Sequence, residues 1–136
     1  MNALEKITNI GNTEKPTMYC SFSPESKEDK VKLYNAMNSP DNQIGDCIGV
    51  KIALKDVYLD VVEMLNETTG EMEERCRVVL FDADGTTYGS VSSGIFSAVK
   101  KLFSAFGTPD MWDEPLDIMF KQVKLKKGNM HTIVVC

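Results

Sequence analysis

The chain is short of the residues that build most metal and hydrolytic sites. It holds one histidine, His131, and four cysteines, Cys20, Cys47, Cys76 and Cys136, spread so that no CxxC pair and no histidine cluster forms. Zinc needs several such ligands at close spacing, so no metal site is expected and the thiols read as free buried or terminal groups. Long apolar runs are also missing: none approaches the roughly 20 residues that span a bilayer, so no membrane is expected. The stretch from Met1 to Lys15 is polar and has no apolar signal core, which makes a cytoplasmic protein the expectation. Positive charge is in deficit, with a net charge of -5 at pH 7. That excludes a wholly basic binder of nucleic acid, but not one whose few cations are gathered in one place. There is no internal repeat and no low-complexity block.

What is present fits one domain. A length of 136 residues with 43% hydrophobic content can bury a core without staples. Residues 1–16 mix Asn, Gly, Thr and Lys with few apolar positions, and read as a flexible arm before a domain over 17–136. Thr17 to Phe22 reads as a short strand. Ser23-Pro24 reads as a helix start, with Val31, Leu33, Tyr34 and Met37 at helical spacing up to the stop at Asn38–Asn42. Ile44 to Cys47 reads as a short turn.

From Gly49 onward the order is three strands, one helix, two strands. The first strand, Gly49 to Leu65, alternates with Val57, Leu59 and Val61 on one side and Asp56, Tyr58 and Asp60 on the other. Ile52 and Leu54 have the opposite parity, which predicts a bulge near Lys55. After the turn Asn66–Gly70, the second strand, Glu73 to Phe81, puts Cys76, Val78 and Leu80 on one face and Arg75, Arg77, Val79 and Phe81 on the other. Asp82–Gly85 is a tight turn and Thr86 to Val91 a third strand. A helix capped at Ser92 or Ser93 runs to Phe106, with Ile95, Phe96, Val99, Leu102, Phe103 and Phe106 as its apolar stripe and Gly107 as its C-cap. Leu116 to Lys126 and Met130 to Val135 are the last strands. This β-β-β-α-β-β order is the one a five-stranded Greek-key barrel of the OB type requires. The predicted fold is therefore mainly β, with one capping helix and one additional N-terminal helix.

The candidate chemistry lies on the strands. Arg75, Arg77 and Phe81 share a face, where guanidinium groups can neutralise phosphates and a ring can stack on a base. Tyr58 and Tyr88 are further candidate stacking platforms. Lys121, Lys124, Lys126 and Lys127 crowd the last hairpin. From Pro115 to the end those four face only Asp117, a local +3, which leaves -8 on the rest of the chain. Such separation favours an oriented anion-binding face. A competing motif is RVVLFDADGTT, Arg77 to Thr87, in which Asp82 and Asp84 resemble the nucleophile and acid/base of haloacid dehalogenase-like, magnesium-dependent phosphohydrolases. That fold needs several further βα units, whereas only one helix follows Asp84, so a turn between strands is the ordinary reading.

The segments Lys32 to Gly49 (KLYNAMNSPDNQIGDCIG), Ile52 to Glu71 (IALKDVYLDVVEMLNETTGE), Arg77 to Pro109 (RVVLFDADGTTYGSVSSGIFSAVKKLFSAFGTP) and Trp112 to Pro115 together resemble the single-stranded DNA-binding proteins encoded by bacteriophages of Gram-positive bacteria. The resemblance implies an OB-type barrel, sequence-independent binding of single strands, a role in replication or recombination, and neither catalysis nor a cofactor. The expected partners are single-stranded DNA, replication or recombination proteins and further copies of the chain. The alternative is a protein-binding OB module without affinity for nucleic acid. The chain ends MHTIVVC, without the acidic tail by which bacterial single-strand binders recruit enzymes, so recruitment through a tail is not expected.

Overall fold

The computed structural model describes residues 18–136, so the expected N-terminal arm lies outside the described residues. Seven strands and two α-helices follow one another: β1 (Tyr19–Cys20), α1 (Lys27–Asn38), β2 (Asn42–Gln43), a 3-10 turn (Ile44–Asp46), β3 (Lys51–Asn66), β4 (Glu71–Asp82), β5 (Thr87–Ser90), α2 (Ser93–Phe106), a second 3-10 turn (Pro109–Met111), β6 (Leu116–Leu125) and β7 (Gly128–Val135). The sheet runs in the order β2-β5-β4-β3-β6-β7, with β1 paired to β3.

β3 organises this sheet. One of its edges pairs with β4 from Leu54 to Asn66, while the other takes β6 along Lys51–Leu54 and β1 at Tyr58 and Leu59. A register shift between Leu54 and Asp56 inserts Lys55 as an extra residue. The shift changes the side-chain parity, so Ile52 and Leu54 before it and Val57 and Leu59 after it all reach the same core. The bulge falls where the alternation of the sequence placed it.

α2 lies under the concave side of the sheet. Ile95, Ala98, Val99, Leu102 and Phe103 are buried, a stripe at the helical period. Ile95, Val99, Leu102 and Phe103 join Val57, Leu59, Val78, Leu80, Ile118, Phe120 and Tyr88 in the main core. Phe106, expected in the stripe, is instead nearly half exposed at the helix end. Gly107 ends the helix with φ 79° and its N–H on the carbonyl of Phe103.

α1 packs on the opposite, convex side. Ser26, not Ser23, is its cap, its hydroxyl accepting from the Asp29 N–H at 3.0 Å, with Glu28 and Asp29 favourably placed in the first turn. Leu33 and Ala36 are buried with Met37 beside them, over Tyr58, Val79 and Phe81. Val31 and Tyr34, at the same helical spacing in the sequence, face solvent.

The sheet holds more strands than the five expected of a Greek-key barrel. The sheet is a curled, mixed half-barrel, and no ladder joins β5 to β7 among the described residues. β5 is four residues long and gives its free edge to β2 in parallel pairing, Asn42 to Tyr88 and Gln43 to Gly89. That pair is clasped by Asp41, whose N–H donates to Thr87 Oγ1 at 2.8 Å while its carboxylate accepts from the Thr87 N–H at 3.0 Å. The seam toward β7 is filled by other groups. A Cβ at Gly94, in the first turn of α2, would lie 2.3 Å from the His131 carbonyl oxygen and 2.6 Å from Met130 Cγ, and one at Gly45 would lie 3.1 Å from His131 Cε1.

Gly94→Ala tests that seam. Alanine favours a helix by about 1 kcal/mol over glycine. The clash is with backbone, which cannot rotate away, and overpacking of this kind costs about 1–3 kcal/mol. A net loss of stability in urea unfolding is expected, and a stabilised variant would show that the helix does not approach β7 this closely.

Candidate nucleic-acid interface

On the convex face of the sheet, alternation sets the directions. Arg77, Val79 and Phe81 on β4 and Tyr58 and Asp60 on β3 point away from the main core, and the register pairs Asp60 with Arg77 and Tyr58 with Val79. This surface is not open, because α1 covers it. Phe81 is 2% exposed and Tyr58 fully buried. Phe22 meets the Phe81 ring edge-on at 5.4 Å, and Lys32 Nζ sits 5.5 Å from its centroid. The expectation that Tyr58 and Phe81 present stacking platforms is therefore corrected, since neither ring has a face free for a base. Tyr88 is corrected likewise: it lies in the main core, with its centroid 5.5 Å from that of Phe120.

Arg77 is committed within the protein. Its Nε donates to Asp60 Oδ1 at 2.8 Å, its Nη2 to Asp60 Oδ2, and its Nη1 to the Met37 carbonyl at 3.0 Å. The last bond satisfies a carbonyl of the final helical turn, which has no partner within the helix. Tyr58 donates its hydroxyl to Asp60 Oδ2 at 2.9 Å. Hydrogen bonding to Asp60 raises the Arg77 pKa, and burial, then the Asp60 carboxylate, pushes the Tyr58 hydroxyl upward. The arginine expected at a phosphate thus serves as a clamp between sheet and helix.

Other predicted cations are on the surface. Arg75 is exposed and touches Glu73 at 3.2 Å. It lines a groove of about 170 Å³ with Glu73, Glu74, Cys76, Val91, Ser93 and Phe96. In that groove burial pushes the Cys76 thiol up to about 12, which favours its protonated form. Lys121 and Lys124 on β6, and Lys126 and Lys127 in the turn that follows, are all exposed. Gly128, at φ 127°, closes that turn. The ion pairs among the described residues, Arg75–Glu73 and Arg77–Asp60, involve none of these lysines. Tyr34, 65% exposed on α1, is an open ring that the sequence pattern placed only at helical spacing with Val31, Leu33 and Met37. The spacing Leu33–Ala36–Met37 already supplies a complete apolar face, and that was the available signal.

Asp82 and Asp84 are occupied by their turn. Asp82 Oδ1 accepts from the Asp84 N–H at 3.0 Å and the Thr86 N–H at 3.1 Å, and Asp84 Oδ1 accepts the Thr86 hydroxyl at 2.7 Å. Burial, then Asp84, raises the Asp82 pKa, while the hydrogen bond with Asp82 lowers that of Asp84. No group of three or more metal-ligating side chains occurs among the described residues. No helix among them is long and apolar enough to cross a membrane.

A curled β half-barrel with a lysine-rich hairpin at one end is the architecture on which the comparison with known families bears. The family model described as phage single-stranded DNA-binding protein matches residues 12–134, and the chain belongs to that family. No curated protein and no solved structure matches it.

Phe81→Ala distinguishes the two readings of the convex face. Truncating a fully enclosed phenyl group costs about 3–5 kcal/mol. Unfolding at a much lower urea concentration is expected, whereas a variant of unchanged stability with weakened binding to oligonucleotide would restore Phe81 as a surface platform.

Proposed function

We propose that this chain binds single-stranded DNA without regard to base order, and holds it unpaired while phage DNA is replicated or recombined. The observation that carries the reading is the family match over residues 12–134. The structure adds a means. Lys121, Lys124, Lys126 and Lys127 are exposed together on one hairpin, and Arg75 is exposed on β4. Phosphate binding at such a site gains chiefly from release of condensed counterions, which is blind to sequence. The sheet is read as an OB-type barrel left open at the seam between β5 and β7, with β6 and β7 as the arm that meets the strand. Stacking falls to surface rings, of which Tyr34 is the more exposed and Phe106 the less. No catalytic step is assigned.

Titration of fluorescent oligo-dT, oligo-rU and duplex DNA at rising salt tests this. Tighter binding to oligo-dT than to duplex is expected. For single strands the logarithm of affinity falls with slope of about 0.7 per phosphate contact, so replacing the four hairpin lysines by alanine should flatten the slope by about 3. An unchanged slope would remove this hairpin from the interface, and no binding of the native chain to any of the three would overturn the function.

A further inference from the structure

The two long hairpins of this sheet end in patches of opposite charge, each built around unpartnered apolar side chains. At the β3–β4 tip, Leu65 and Met72 are directly paired across the strands, and each is 59% exposed. The next pair on the same face is Glu63 opposite Glu74, two like charges where cross-strand neighbours should attract. Neither takes part in the ion pairs among the described residues. Glu67 and Glu71 flank the turn. The turn itself is well made: the Asn66 carboxamide accepts from the Thr68 N–H at 2.9 Å and donates to Glu73 at 2.6 Å. The tip is thus ordered and projecting rather than frayed.

The β6–β7 hairpin mirrors it. Val123, 38% exposed, is paired with Met130, 37% exposed, and Leu125, 49% exposed, lies on the same face. Alternation places Lys121 there too, with Lys126 and Lys127 at the turn. Exposed apolar pairs and opposed like charges break local rules of sheet design, and such breaks mark surfaces that are completed by a partner.

We propose that the partner is a second copy of this chain, with the acidic Leu65–Met72 tip of one copy seated on the Val123–Leu125 face of the lysine hairpin of the next. Apolar side chains then cover one another, and Glu63 and Glu74 gain the cations they lack. The two patches are different surfaces of one chain, so a single such contact leaves each copy one free patch, and copies joined head-to-tail continue into a ring or filament. Lys124 lies on the opposite face of the hairpin, so it serves phosphate alone, while Lys121, Lys126 and Lys127 serve phosphate or the next copy in competition.

The test needs no DNA, so its failure is separable from failure of the function above. Sedimentation of the full chain is measured in reducing buffer, because Cys136 is exposed. At low salt the mean mass should rise about twofold or more with concentration and return to the monomer as salt rises. Leu65→Ser with Met72→Ser, and separately Val123→Ser with Leu125→Ser, should each give folded monomers by circular dichroism. Mixed together, these two variants should form a dimer and stop, because one usable patch of each kind remains. If a serine pair loosens its hairpin, Glu63→Lys with Glu74→Lys supplies a second variant, which should also be monomeric. A native chain that stays monomeric across its soluble range, a blocked variant that still associates alone, or a mixture that stays monomeric or grows past the dimer would each overturn the proposal.

Discussion

A single carboxylate, Asp60, decides what the convex side of this sheet is. It is 9% exposed and is held by the Arg77 guanidinium and the Tyr58 hydroxyl. A charge in that position is tolerable only while its partners remain, because removing one leaves the other desolvated and alone. The same arginine reaches the last turn of α1 through the Met37 carbonyl. Ion pair, helix end and buried rings are therefore one unit: the clamp fixes α1, and α1 closes the sheet over Tyr58, Val79 and Phe81.

That unit explains where sequence reasoning succeeded and where it stopped. Alternation in β4 correctly shows that Arg77 and Phe81 point away from Val78 and the main core. It reports direction, not cover. Whether a residue on that side meets water or a helix depends on a segment some forty positions earlier, whose own spacing admits two faces. Leu33–Ala36–Met37 and Val31–Tyr34 are both apolar runs, and only packing against Phe81 selects the first. The bulge at Lys55 was legible for the opposite reason. It is written in one strand, as a change of parity between Leu54 and Val57, and needs no distant partner to be read.

The barrel shows the same division. The order β-β-β-α-β-β is local and holds from Lys51 to Val135. Closure is a property of edges. β5 is too short to carry both β2 and β7, and the two residues of β2, which nothing in their composition marks as a strand, take the place that a closing pairing would need. The lysines of the last hairpin were legible because a turn flanked by strands has no interior in which to hide them. The charge asymmetry of the chain is thereby a property of its surface as well as of its composition.

The bulge in β3 carries a mechanical consequence. It sits where that strand passes from its long ladder with β4 to its short ladder with β6, so the last hairpin is a cantilever rooted beside it. A strand of the length of β6 extends about 33 Å. A rotation of about 10° at its root would therefore carry the lysine tip through about 6 Å. Leverage of that kind gives a stiff sheet one adjustable end without refolding any of its own parts.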